Sequence, residues 1–276
     1  MSQTSVKVAT HDPVWTTIRS AAEELAKTEP VLSSLLYATV LNQHRLEDSL
    51  AYHLSQRLGT LEVPALLVQQ VFEAAYDADP EIAAAARCDI VAVYDRDPAC
   101  SSYLEPLLYF KGFHALQGYR IAHWLIGQGR RGLALYLQDR ISEVFGVDIN
   151  PLAKVGRGIM IDHGTGVVIG ETAVVEDGVS LLQGVTLGGT GKETGDRHPK
   201  IRKGSLIGAN ATILGNIEVG ECARIGAGSV VLADVPAHCT AAGVPAQIVG
   251  CAGSDEPGRD MKQQFTEKSQ DPSDQA

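Results

Sequence analysis

From Val155 to Val231 an aliphatic residue recurs every six positions. The first run is Val155, Ile161, Ile169, Val175, Leu181 and Leu187; the second is Ile201, Ile207, Ile213, Val219, Ile225 and Val231. Two steps depart from six: Ile161 to Ile169 is eight residues, and Leu187 to Ile201 is fourteen. A period of six fits neither an amphipathic helix nor an alternating strand. It is the repeat of a parallel β-helix, in which each unit forms one short flat side of a coil. The aliphatic residue points inward and stacks on its counterparts in the coils above and below. Glycine and other small or acidic residues follow it, as in Ile169-Gly170, Val175-Glu176 and Ile207-Gly208, where the backbone turns a corner.

The fourteen-residue step holds a glycine-rich insertion, Gly188 to Lys200, that carries Arg197-His198. Solenoids tolerate insertions that leave as loops, often on the binding face. The run Gly188-Gly189-Thr190-Gly191-Lys192 is not a phosphate loop of the Walker type. Its lysine is followed by Glu193, Thr186 stands where the first glycine belongs, and it lies within β repeat.

Before the repeat the chain reads as helical. Asp12-Pro13 fits an N-cap with proline at the first helical position. Glu29-Pro30 opens a second helix carrying Leu32, Leu35, Leu36, Val40 and Leu41, and Ala51 to Leu58 belongs to a third. Pro64 opens a helix with Leu67, Val71 and Ala74-Ala75 on one face; Asp79-Pro80 opens the next. Asp97-Pro98 reads as a turn. Leu107 to Ile126 reads as one apolar helix with Trp124, Leu125 and Ile126 in the core, and Arg131 to Phe145 as the last. Glycine, valine and isoleucine replace helix formers at Gly146. These patterns divide the chain into a helical N-terminal domain (1–147), a parallel β-helix (148–251) and a polar, flexible C-terminal tail (252–276), with residues 1–11 unanchored. The fold class is α+β.

The net charge of −10 argues against a nucleic-acid or anionic membrane partner. Five cysteines without a C-x-x-C pair suit reduced thiols rather than a disulfide framework. No apolar run is long enough to span a membrane and the first ten residues lack an apolar signal core, so a soluble cytoplasmic protein is expected.

Two places on the repeat could carry chemistry. Asp162-His163 follows the inward Ile161, so His163 points outward near a corner. A histidine there is a candidate general base, with Asp148 and Asp162 as candidate orienting acids; the plain alternative is a solvated corner residue. Arg197-His198 could grip a carboxylate, against the alternative of a solvated charged loop. His163, His198 and His238 occupy unrelated frame positions, so no metal site is expected.

Several motifs go together: Asp97-Pro98, Leu108-Tyr109-Phe110-Lys111-Gly112-Phe113-His114-Ala115, Gly158 to His163, Gly170-Glu171-Thr172, Val185 to Lys192, Gly195 to Ile201 and Ala241 to Ala246. With them the chain, over about residues 12 to 250, resembles the serine O-acetyltransferase family. The resemblance implies a left-handed β-helix that trimerises, and a homo-hexamer joined through the helical domains. It implies acetyl transfer from acetyl-CoA to the hydroxyl of L-serine, with no permanently bound cofactor. His163 would be the general base and Asp148 would orient it. Asp97 and Asp162 would meet the serine ammonium, and Arg197 and His198 its carboxylate. CoA would lie between neighbouring solenoids, near Gly189, Ala209 and Ala227. L-cysteine would inhibit at the serine site. Asn150 stands where the family commonly has histidine. The chain ends in Ala276, where many members end in the isoleucine that engages O-acetylserine sulfhydrylase, so that complex is expected to be weak or absent. Rival readings are a hexapeptide acetyltransferase for a sugar or antibiotic acceptor, and a non-catalytic β-helical scaffold.

Overall fold

Proline and acidic caps set the helix starts in the protein's structure, a computed structural model that describes residues 12–192 and 194–264. Helix α1 (Pro13–Thr28) is capped by Asp12, whose carboxylate accepts the Trp15 N–H at 3.1 Å. After Pro30 the chain makes a tight 3-10 turn, a short helix α2 (Ser33–Leu36) and a widened turn over 37–41, rather than one regular helix. Helices α3 (Leu46–Leu58), α4 (Ala65–Ala78) and α5 (Pro80–Arg96) follow. The buried face of α4 is Val68, Phe72, Ala75 and Tyr76, whereas Leu67 is half exposed. Of the expected face of Leu67, Val71 and Ala74-Ala75, Ala75 is buried as expected; the rest of the stripe is displaced by about one position, because Phe72 supplies the bulk that the core takes.

The long helix expected over residues 107–126 is two helices, α6 (Leu104–Tyr109) and α7 (Lys111–Gly127), broken where Phe110 is extended at φ −88°, ψ 104°. The break lets α7 start against the solenoid: a Cβ on Gly112 would lie 2.0 Å from the Ile161 carbonyl oxygen. Only glycine admits that approach. Leu125 is buried, but Trp124 and Ile126 only partly. Helix α8 (Arg131–Phe145) ends on Gly146, left-handed at φ +68°.

The strands then wind through three parallel sheets. They are β1 (Val147–Ile149), β2 (Lys154–Val155), β3 (Met160–Ile161), β4 (Val167–Ile169), β5 (Val174–Val175), β6 (Ser180–Leu181), β7 (Thr186–Gly188), β8 (Lys200–Ile201), β9 (Leu206–Ile207), β10 (Thr212–Leu214), β11 (Glu218–Val219), β12 (Arg224–Ile225) and β13 (Val230–Val231). An antiparallel pair, β14 (Cys239–Gly243) and β15 (Ala246–Cys251), closes the end. Side A is β1-β4-β7-β10-β13, side B is β2-β5-β8-β11, and side C is β3-β6-β9-β12-β14-β15. The chain visits A, B and C in turn, so every third repeat stacks. Ile149, Ile169, Leu187, Ile213 and Val231 form the column behind side A. Val155, Val175, Ile201 and Val219 stand behind B, and Ile161, Leu181, Ile207, Ile225 and Ala241 behind C. The stack thus begins one repeat before Val155, at Ile149.

The helical half grips the first coil. Asp89, fully buried, accepts from Arg120, Gln117 and the Ile159 backbone N–H at 2.7, 2.9 and 3.0 Å. Arg120 also donates to the Gly156 carbonyl at 2.7 Å. A buried carboxylate with this many donors is stable; stripped of Arg120 it would be a strongly destabilising orphan charge.

Beyond the solenoid, residues 252–264 are packed rather than free, although composition assigns them to a flexible tail. Helix α9 (Pro257–Asp260) lays Gly258 against the β-helix: its N–H donates to Gly204 O at 2.8 Å and its carbonyl accepts from Ser180 Oγ at 2.5 Å. The Arg224 guanidinium holds the Lys262 and Gln264 carbonyls at 3.0 Å. Expectations that concern residues 1–11 and the terminus at Ala276 lie outside the described residues.

Candidate active site

The two interruptions of the repeat fall on two different corners of the prism. The eight-residue step lies between β3 and β4, at the corner joining sides C and A. The insertion lies between β7 and β8, at the corner joining A and B.

At the CA corner the extra residues produce three left-handed positions, His163 (φ 56°), Gly164 (φ 75°) and Gly166 (φ 77°). They turn the His163 imidazole outward, with 71% of its side chain exposed and Nε2 3.8 Å from Asp162 Oδ2. Asp97 comes from the far end of α5, where it caps the helix and its Oδ1 accepts the Ala99 N–H at 2.8 Å. Asp97, Asp162 and His163 line one cavity of about 390 Å³, with Lys111, Phe110 and Met160 in its wall. Burial pushes the Asp162 carboxyl above the usual carboxylate range; His163 opposes this and Asp97 adds to it. Two carboxylates in one half-buried cavity form a site for a cation. Lys111 donates to the Thr165 hydroxyl beside His163. Sequence reasoning assigned no role to Lys111, nor to Gln138, which contacts Asp148.

Asp148 lies on the outer surface of side A, where Gln138 of α8 donates to its Oδ1 at 2.7 Å. In this structure Asp148 is held by Gln138 rather than by His163.

At the AB corner Arg197 and His198 are fixed, not waving. The Thr172 hydroxyl accepts from both backbone N–H groups, at 3.0 and 3.1 Å. His198 Nδ1 accepts the Thr172 backbone N–H at 3.2 Å and lies 2.8 Å from the Thr172 hydroxyl. That pattern makes Nδ1 the acceptor, so the neutral ring carries its proton on Nε2. Burial lowers the His198 pKa, and Arg197 lowers it further. Arg197 pairs with Glu171 at 2.7 Å. Gly170 leaves room for the imidazole, since a Cβ there would lie 2.0 Å from the ring. Lys200 ties the loop back by donating to the Thr172 and His198 carbonyls and to Asp196.

The expected CoA contacts divide in the same way. Ala209 and Ala227 stack on the CA corner above His163, linked by a 2.7 Å bond from Gly228 N–H to Ala209 O. Gly189 lies on the AB corner, where an added Cβ would meet Arg197 at 3.5 Å. Side A separates the two sets, and a single chain does not bring them together. His238 lies on the third corner, between B and C.

Two family profiles match this chain: "Serine acetyltransferase, N-terminal" over residues 14–118 and "Bacterial transferase hexapeptide (six repeats)" over residues 198–233. The serine acetyltransferase of Salmonella typhimurium (strain LT2) is 60% identical over 91% of this chain and 92% of its own length. A crystal structure of serine acetyltransferase in complex with coenzyme A from Brucella abortus strain S19 superposes with a TM-score of 0.87 at 56% identity, covering 88% of this chain and 97% of that one. A serine acetyltransferase in complex with cysteine superposes with a TM-score of 0.90 at 55% identity, covering 92% and 98%. Both the helical half and the solenoid thus match one kind of protein throughout, and the chain belongs to the serine acetyltransferase family.

Proposed function

We propose that this chain transfers acetyl from acetyl-CoA to the hydroxyl of L-serine, giving O-acetyl-L-serine and CoA at the start of cysteine biosynthesis. The observation that carries the reading is the cavity in which His163 stands beside the two acids Asp97 and Asp162. The acids take the serine ammonium, whose charge relieves their mutual repulsion. His163 accepts the hydroxyl proton as the serine oxygen attacks the acetyl carbonyl. The C–S bond then breaks and the proton passes to the departing CoA sulfur. Arg197 and His198 take the serine carboxylate. No cysteine lines the cavity, which favours direct transfer over an acyl-enzyme.

Because Arg197-His198 and Asp162-His163 occupy separate corners, the site is completed by two chains packed corner to corner, as in a trimer. CoA then lies in the groove between them, with Ala209 and Ala227 on one wall and Gly189 on the other. Helical-half side chains left exposed, among them Val31 at 92% and Leu61 at 97%, support pairing of trimers into a hexamer. Asp148 orients His163. L-Cysteine, which shares the ammonium and carboxylate of serine, inhibits by filling the same site in a cytoplasmic enzyme.

Following CoA thiol release with acetyl-CoA and L-serine tests the reading. Serine-dependent release is expected, and His163→Ala should reduce it about 10²–10⁴-fold while the fold persists. Absence of serine-dependent release overturns the assignment. The shared site has its own test: mixed oligomers of His163→Ala and Arg197→Ala chains should recover activity that neither has alone.

A further inference from the structure

The hairpin β14–β15 that closes the solenoid sets two of the chain's five cysteines directly opposite each other, Cys239 against Cys251. The Ala252 N–H donates to the His238 carbonyl at 2.8 Å, so the ladder bonds flank this pair instead of joining it. Such a non-hydrogen-bonded antiparallel pair has its Cα atoms only about 4.5 Å apart and both side chains on one face. That separation falls inside the roughly 4.4–6.8 Å window that a disulfide spans. Cys251 is exposed and Cys239 half-buried, and both are free thiols here.

We propose that Cys239 and Cys251 form a thiol–disulfide site whose oxidant is a low-molecular-weight disulfide. The exposed Cys251 thiolate attacks one sulfur of the small disulfide, releasing the first thiol and forming a mixed disulfide. The Cys239 thiolate then attacks the Cys251 sulfur and expels the second thiol. Two protein thiols are oxidised, one small disulfide is reduced to two thiols, and the two cysteine protons end on those products. The fold stands without the bond, so the site is reversible rather than structural.

The location gives the bond a consequence. Thr240, next to Cys239, donates its hydroxyl to the Cys251 carbonyl at 2.8 Å and accepts from Arg224 Nε at 3.2 Å. Arg224 in turn holds the carbonyls of Lys262 and Gln264. At the other end of the hairpin the Gly243 N–H donates to Ser229 Oγ at 3.1 Å, behind the corner that carries Ala227. A link at Cys239–Cys251 therefore staples the last coil to the origin of the 252–264 segment. Two of the remaining cysteines are poor competitors. Cys100 and Cys222 are buried, and burial raises both thiols, Cys100 to about 11.

The test incubates the full-length protein with oxidised glutathione and maps its peptides without reduction. The expected result is one Cys239–Cys251 cross-linked peptide, loss of two titratable thiols, and a thermal midpoint raised on the order of 5 °C. Cys239→Ser and Cys251→Ser should each abolish the cross-link and the rise, with the activity of the reduced protein unchanged. Three results would overturn the proposal. They are a glutathionylated Cys251 beside a free Cys239, a chain-to-chain disulfide through Cys251, and a cross-link involving Cys88, Cys100 or Cys222.

Discussion

The helical half and the solenoid half of this chain are stabilised in opposite ways. In the helical half large side chains from distant helices interlock: Phe72, Phe113 and Phe145 are fully buried among leucines from α3, α6 and α7. In the solenoid a column of aliphatic residues runs behind each side, and each member lies in register with its counterparts in the coils above and below. One half is a jigsaw with unique pieces, and the other is a stack of near-identical ones. The two share a single continuous core, so the contrast lies in how contacts are specified, not in whether they are made.

The jigsaw carries a pH liability. His53 and His114 are buried with ring centroids 5.0 Å apart, and His114 Nε2 bonds the Leu107 carbonyl at 2.8 Å. Burial lowers their pKa values from 6.5 to about 4 and about 3. The folded chain therefore keeps both neutral, while the unfolded chain takes up protons below its higher value. Stability should fall as pH drops from about 6.5 towards 4, on the order of 3 kcal/mol for each histidine by pH 4. Thermal midpoints measured across that range check this, and His53→Phe should flatten the slope.

Core truncations probe the same contrast. Phe72→Ala should cost about 3–5 kcal/mol and lower the denaturation midpoint of the whole chain. Ile207→Ala should cost about 2–5 kcal/mol, but its loss of hydrogen-exchange protection should centre on the neighbouring coils at Leu181 and Ile225. Equal spreading of the Ile207 effect through α3 to α8 would remove the distinction.

The smallest effect belongs to the cavity where the halves meet. The raised Asp162 carboxyl should make serine KM climb as pH falls, starting above the usual carboxylate range, because protonation would remove the charge proposed to hold the ammonium. Asp162→Asn should show a high KM without that dependence. A wild-type KM that is flat down to ordinary carboxylate pH would refute the role.

The same contrast explains what could be read from the sequence. A solenoid writes its rule locally, so Val155 through Val231 named the inward residues of nearly every coil, and the eight-residue step located His163. The helical half writes nothing of the kind. The α4 face shifted to Val68 and Phe72, and one expected helix broke at Phe110, because Gly112 must pack against Ile161. The tail past Ala252 looked too polar to order, yet backbone bonds to Gly204, Ser180 and Arg224 hold it through Gln264. Composition does not register such bonds.

The sequence by itself determined the six-residue coil, the helical half before it and the family, and it singled out Asp97, Asp162, His163, Arg197 and His198 as candidates. Only the tertiary structure decided which of these meet. A three-sided prism puts residues at the same corner in contact and keeps residues at different corners apart. It thus joins Asp162 and His163 with Asp97 from α5, and holds Arg197 and His198 across side A. Spacing along the chain fixes the corner a residue occupies, but which helix end lies over that corner is set by side-chain packing between distant segments.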